Sequence, residues 1–406
     1  MPDRHGSSRG RGRHLLIPVA AVALLAAGCS GSNSGSPESA PSVSPTPSGT
    51  PGSTPPRPGG TPSQPPESTP TVSPGTPSGK PVWTKILRQP VDGQHIVTQQ
   101  RKYLVTRGSD EAGTTTVTDR ASRKVVVRHA PPTGFVAQSP VVIDDRWALI
   151  EEIRSDGPNP QIRAYRYDLS TGARTDLATQ RALPRISEPE IGAYDGTFAY
   201  SSTDAKKRSC LVIAALDTLA ARTVMCVPDP GYIADPVVSA DSVTFSTITA
   251  PQSPQRCKRL FTAPLAGGSA RPIAAGRNCI QWSGATLRGA TIWSEIGADD
   301  PDQYQSRAYL RESPGAAARS LGTIVTDTIV ACGNWIHWEV RAMRNGVETY
   351  QLQRWQPGLA RPQVIYSTPP DTAITAPTCQ NNTIFVEAAH LGGGTKYTEA
   401  LATGTA

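Results

Sequence analysis

The chain has 406 residues, a formal charge of +7 and only 18 % charged residues. Arg4, Arg9, Arg11 and Arg13 set against Asp3 place +3 of that charge in residues 1–28, leaving +4 for everything after them. So mild a balance, carried by scattered Lys and Arg, excludes a nucleic-acid surface and leaves a weak attraction to anionic lipid headgroups.

The first element is apolar. Leu15 to Ala27 follows the basic stretch and is shorter than the roughly 20 residues that span a bilayer, so it is predicted to be a removable signal. It closes on Leu24-Leu25-Ala26-Ala27-Gly28-Cys29, which resembles a bacterial lipobox. That likeness implies cleavage after Gly28, acylation of Cys29, and a protein tied by lipid to the outer side of the cell membrane. Ser30 to Lys80 is almost entirely Ser, Pro, Gly and Thr, with too little apolar surface for a core, and is predicted to be an extended spacer. The expected organisation is a signal peptide at 1–28, a disordered linker at 29–80 and a folded domain at 81–406.

With Cys29 assigned to lipid, Cys210, Cys226, Cys257, Cys279, Cys332 and Cys379 remain, an even number in an exported chain. Three disulfides are expected rather than a metal centre, since there is no Cys-x-x-Cys and His95, His129, His337 and His390 do not cluster. Cys210 to Cys257 spans 47 residues, and so does Cys332 to Cys379. Pro189 to Pro236 repeats that step, and Pro236 to Pro377 is three times it. A period in the forties, in short segments rich in Val, Ile, Thr and aromatics with Gly and Pro between them, predicts four-stranded propeller blades rather than helical repeats.

The units start near 91, 133, 185, 232, 279, 324 and 372. Each opens on a first strand, marked by proline in Ser139-Pro140-Val141-Val142 and Glu188-Pro189-Glu190-Ile191. Apolar second strands follow at Trp147 to Ile150, Phe198 to Tyr200, Val243 to Phe245, Ile292 to Ser294, Ile336 to Trp338 and Ile384 to Val386. Asp168-Leu169-Ser170-Thr171-Gly172 supplies the chemistry of a hairpin turn. The last unit runs out before a fourth strand. Val82 to Leu87, an orphan strand ahead of the first unit, is predicted to fill that place and close a seven-bladed, all-β ring without exposed edges.

The spacing also predicts pairings. Cys210 and Cys226 lie equidistant from Thr218, and Cys257 and Cys279 from Gly268, as partners across hairpins would. Cys332 and Cys379 are left at equivalent places of neighbouring units, near the axis.

At Ala234-Asp235-Pro236-Val237-Val238-Ser239-Ala240-Asp241-Ser242-Val243 the chain resembles the blade motif of the TolB-like (WD40-like) propeller family, Asp-Pro-x-x-Ser-x-Asp-Gly followed by an apolar strand. Asp195-Gly196 keeps the glycine that Asp241 lacks. The resemblance implies a propeller in an exported setting. Lipobox, linker and propeller together look like an actinobacterial cell-envelope lipoprotein.

Nucleophile elbows, phosphate loops, dinucleotide fingerprints and zinc-protease motifs are absent, so no cofactor or metal is implied. Glu151, Glu295, Glu339 and Glu387 recur after the second-strand apolar run, with Ser201 and Ser246 at that place in units three and four. They are predicted to ring one mouth of the central channel, with Trp293, Trp335 and His337 on the same strand faces and Asp299, Asp300 and Asp302 in a nearby loop. Acid beside aromatic surface suits a cationic or sugar-like ligand. The first functional expectation is therefore a monomeric binding module for an envelope protein or glycan. A glycan hydrolase or lyase using those carboxylates, and an assembly factor of the envelope, are the alternatives.

Overall fold

The computed structural model describes residues 84–90 and 95–404 apart from 100–101, 109, 111, 143–144, 155–159, 250–256, 275–278, 297–303, 345, 371, 381 and 391–396, with the backbone alone for 84–90, 95, 139–142, 344, 390 and 397–404. All of them belong to the second of two units, Val72–Ala406. Cys29 and the expected Asp299, Asp300 and Asp302 lie outside the described residues.

Period-two alternation of β-branched and aromatic residues produces strands throughout. The described helical content is a single 3-10 turn at Leu177–Thr179, and among the described residues no helix is long and apolar enough to cross a membrane. The strands form seven antiparallel sheets of the same plan. Blade 1 comprises His95–Gln99, Tyr103–Arg107, Thr115–Asp119 and Val125–His129. Blade 2 has Val136–Val142, Trp147–Arg154, Gln161–Asp168 and Arg174–Asp176. Blade 3 has Gly192–Tyr194, Thr197–Thr203, Ser209–Ala215 and Ala221–Val227. Blade 4 has Tyr232–Val238, Ser242–Thr249, Cys257–Pro264 and the short Arg271–Pro272. Blade 5 has Gln281–Leu287, Ala290–Glu295, Gln305–Arg311 and Arg319–Val325. Blade 6 has Val330–Cys332, Trp335–Arg344, Val347–Trp355 and Gln363–Ser367.

Blade 7 closes the ring. Its first strand is split into Thr372–Ile374 and Thr378–Gln380, both paired with Thr383–His390, which pairs with Tyr397–Gly404. The outermost strand is Thr84–Pro90, from the other end of the domain, antiparallel to Tyr397–Gly404. The orphan strand thus takes the predicted place. Main-chain hydrogen bonds join the first and last strands of the ring, and an edge that would otherwise stand open is paired.

The core lies in the seams between blades rather than at the axis. Among the described residues each of the seven seams has its own apolar cluster, the largest around Trp338 and Trp355 of blade 6 facing Ile292 and Leu310 of blade 5. Complete burial of such a side chain contributes about 1.5–3 kcal/mol, and both tryptophans are fully buried. Inner strands crowd together at the axis. A Cβ on Gly192 would meet the Pro236 carbonyl oxygen at 1.9 Å, so only glycine fits where blade 3 meets blade 4.

First strands break register where they meet their second strands. Shifts fall between Ala137 and Pro140, Ala234 and Val237, and Gln281 and Gly284. Pro140 and Pro236 sit at such bulges, where a missing N–H costs no ladder bond. The repeating prolines of the sequence therefore mark the inner-strand irregularity of successive blades.

The six cysteines form Cys210–Cys226, Cys257–Cys279 and Cys332–Cys379, the expected pairs. Hairpin symmetry accounts for the first, since Cys210 and Cys226 are directly opposite in the third and fourth strands of blade 3. It fails for the second. The fourth strand of blade 4 ends at Pro272, and Cys279 belongs to the lead-in of blade 5, where Ile280 forms a parallel bridge with Lys258. This disulfide therefore joins two blades. Cys332–Cys379 joins the first strands of blades 6 and 7, as their equivalent positions implied.

Candidate functional site

The axis holds a cavity of about 240 Å³ lined by first-strand residues that include Thr98, Ile191, Pro236, Ala331 and Gln380. Ile191 and Pro236 each follow an acidic residue, so Glu190 and Asp235 are the chain neighbours of the cavity lining. Both take left-handed backbone conformations, φ 89° and 52°, as does Asp327 at φ 59° in the lead-in of blade 6. L-residues seldom hold such angles without compensating interactions.

Those interactions run from blade to blade. The Glu190 N–H donates to Glu151 Oε2 of blade 2 at 3.3 Å, and the Asp235 N–H donates to Glu190 Oε2 at 3.2 Å. The Asp235 carboxylate accepts from Ser246 Oγ at 2.7 Å and pairs with Lys258 Nζ at 2.8 Å. Lys258 is 6 % exposed, and its ammonium lies 4.3 Å from the centroid of the Trp282 ring, a cation–π contact. The Cys257–Cys279 disulfide fixes its strand, beside the Lys258 N–H bond to the Cys279 carbonyl at 3.2 Å.

The charges are unequal. Burial would raise Asp235, but Lys258 and hydrogen bonds from Glu190, Lys258 and Ser246 outweigh it and hold the carboxyl below its ordinary range. Glu190 is pushed up, by burial first and then by the Asp235 carboxyl within hydrogen-bonding reach. Asp327 is raised by burial, with the Trp282 indole and Lys258 pulling it back. Glu190 and Asp327 nevertheless present surface to solvent, and the Asp235 side chain keeps 32 % of its own. The arrangement can exchange a proton between two carboxyls and receive a solute from the open side.

Of the glutamates singled out in the sequence, Glu151 touches this cluster through the Glu190 N–H and the others lie elsewhere. Glu151 and Glu339 are buried in seams, 3 % and 2 % exposed, and burial lifts them to about 7 and about 8. His337, Trp335 and Trp293 are buried as well. Trp335, His337 and Glu339 share the face of blade 6 that meets blade 7, and Arg354 stacks 3.7 Å over the Trp335 ring. Glu295 is a correction of one residue. Ser294 and Ile292 face blade 6, whereas Trp293 packs with Leu260 of blade 4, and its indole donates to Glu295 Oε1 at 3.0 Å. The counterpart of Glu151 and Ser246 in blade 5 is therefore Ser294.

The recurrence has a structural cause. Glu151, Ser294 and Glu387 stand opposite the bulge or break of their first strands, and Ser246 pairs with Ala234 immediately beside the bulge of blade 4. Glu339 and Glu387 donate their N–H groups to Thr328 and Thr375 at 3.1 and 3.0 Å, and Ser294 Oγ accepts from Ser283 N at 3.2 Å. Polar residues recur there because the irregular inner strand leaves groups to be satisfied. Lys258, Trp282 and Asp327 were missed by sequence reasoning. One signal existed, since Asp235 and Trp282 are one 47-residue period apart.

Ring and rim together define a seven-bladed β-propeller with a polar, carboxylate-rich mouth. No family model and no curated protein matches the chain in sequence. Solved structures of similar fold include the β-propeller domain of the trilobed protease from Pyrococcus furiosus, 12 % identical over 64 % of this chain and 84 % of that one, with a TM-score of 0.41. TolB from Acinetobacter baumannii is 10 % identical over 77 % and 79 %, with a TM-score of 0.35. The polysaccharide lyase Uly1 is 9 % identical over 78 % and 90 %, with a TM-score of 0.45. The likeness extends to the fold alone.

Proposed function

We propose that the protein is an extracytoplasmic propeller lipoprotein, anchored through lipid on Cys29 and spaced from the membrane by residues 29–80, that binds an envelope protein or glycan at the channel mouth. The observation that carries this reading is the rim cluster of Glu190, Asp235, Lys258, Trp282 and Asp327, a polar concavity open to solvent on a scaffold of seven blades. Three disulfides suit an oxidising compartment.

The anchor and the module are tested together. Mass spectrometry of the mature N-terminal peptide should find acylated Cys29, and Cys29→Ser should leave the precursor uncut. Crosslinked envelopes should yield one enriched partner with wild type and lose it with Asp327→Asn, while cell-wall glycans incubated with the protein stay intact. Unmodified Cys29 would refute the anchor, and glycan cleavage would replace the binding module with an enzyme.

A further inference from the structure

The rim leaves carboxyl oxygen without a donor. Glu151 is 3 % exposed, and while its Oε2 accepts from Glu190, its Oε1 has no hydrogen-bond partner. A buried carboxyl oxygen with nothing to bind is uncommon in a folded protein and points to a missing donor. Next to it the Asp235 N–H donates to Glu190 Oε2 at 3.2 Å, which sets the two acidic residues side by side, each carboxyl acting on the other's titration. Two carboxylates so placed repel unless one proton lies between them. The groups facing the pair are Glu151 from blade 2, Lys258 and Ser246 from blade 4 and Asp327 from blade 6, with Glu188 on the same segment as Glu190. Lys258 is the one cation among these groups, and Asp235 and Trp282 already hold it.

The way Lys258 is held shows what this corner accepts. Its ammonium sits between a carboxylate at 2.8 Å and an indole face at 4.3 Å. A compact metal ion is a poor fit, because among the described residues the oxygens of these carboxylates do not converge as three within 4.8 Å. A longer cation, reaching from the exposed Glu190 toward Glu151, matches the spread of the acceptors.

Resting on the binding reading above, we infer that the channel mouth receives an organic cation bearing a primary ammonium or guanidinium group, held by Glu190, Asp235 and Glu151. Its arrival expels the proton shared by Glu190 and Asp235. One positive charge enters and one leaves to solvent as a buffered proton, so the dyad's charge is balanced before and after. Ligand affinity and pH are thereby linked. Below the titration range of the pair, affinity rises by up to about tenfold per pH unit.

Isothermal titration of the mature domain with spermidine and, separately, with a trilysine peptide distinguishes a free polyamine from a basic segment of a partner as the source of the cation. Run at about pH 6 and about pH 8 in two buffers of different protonation enthalpy, it should show about one proton released per cation bound at the higher pH, more than one at the lower pH where Glu151 is also protonated, and tighter binding at the higher pH. Glu190→Gln should weaken binding at least tenfold and flatten its pH dependence. The wild-type proton count needs no variant, so the inference stays open to refutation if Glu190→Gln fails to fold. Binding of neither probe, binding without proton release, or equal affinity in a folded Glu190→Gln would overturn it. Crosslinked capture of a partner that survives Glu190→Gln would overturn this inference and leave the binding module standing.

Discussion

Glu339 and His337 stand two residues apart on one face of blade 6, in the seam with blade 7, and burial moves them in opposite directions. The carboxyl rises from 4.5 to about 8 through burial, and the imidazole falls from 6.5 to about 3 through burial and the nearby Arg354. Because the folded chain binds the Glu339 proton more tightly than the unfolded chain, stability present below about pH 4.5 is lost as pH rises through about 8. For His337 the neutral form is favoured, so stability present above about 6.5 is lost as pH falls toward about 3. Between those windows the two trends oppose one another. Urea unfolding should therefore show this seam's contribution nearly level from about pH 4.5 to 6.5, then falling by roughly 2 kcal/mol between pH 6.5 and 8. Glu151, raised to about 7 in another seam, adds its own loss of stability between about pH 4.5 and 7. In Glu339→Gln the alkaline fall should shrink while the acid one stays, and an unchanged alkaline slope would remove Glu339 as its source.

Among elements, inner strands and disulfides set the geometry. Bulges at Pro140 and Pro236 let each first strand turn along the axis, with Glu151 opposite the first and Phe245 opposite the second. Buried Glu151 and Glu339 became seam residues, and the rim formed from the lead-ins that hold Glu190 and Asp327 and the inner strand that holds Asp235. Of the disulfides, Cys332–Cys379 spans 47 residues and ties blade 6 to the closing blade. Loop-closure entropy assigns such a crosslink about 4 kcal/mol. Replacing both cysteines by serine should lower the melting temperature and bring hydrogen exchange in blade 7 ahead of the other blades. Uniform exchange across the ring would argue that the crosslink acts on the unfolded chain alone.

At the scale of the molecule the ring depends on two distant segments. Thr84–Pro90 covers the edge of Tyr397–Gly404, and nothing else in the described structure pairs with that edge. Removing residues 81–90 should leave seven inner strand triplets folded but expose a flat strand of unpaired N–H and C=O groups, a template for another chain. Light scattering should then report dimers or larger species at concentrations where the intact domain stays monomeric. A monodisperse truncated domain of unchanged melting temperature would deny this strand its closing role.

The sequence by itself pointed to seven blades, to the closing strand and to Cys210–Cys226, because each leaves a trace: a 47-residue step, alternating strands, and symmetry about a turn; Cys257–Cys279 pairs as expected but across two blades rather than a hairpin. It also disclosed the recurrent polar position on the second strands. Only the tertiary structure decided what that position does and where the mouth lies. Register shifts of one residue swap the face a side chain presents, as Ser294 and Glu295 show, and no composition rule records them. Glu190, Asp235, Lys258, Trp282 and Asp327 come from two lead-ins, two inner strands and a third strand, spread over 138 residues of chain from first to last. They meet because the inner strands converge on one axis, and convergence is a property of the closed ring.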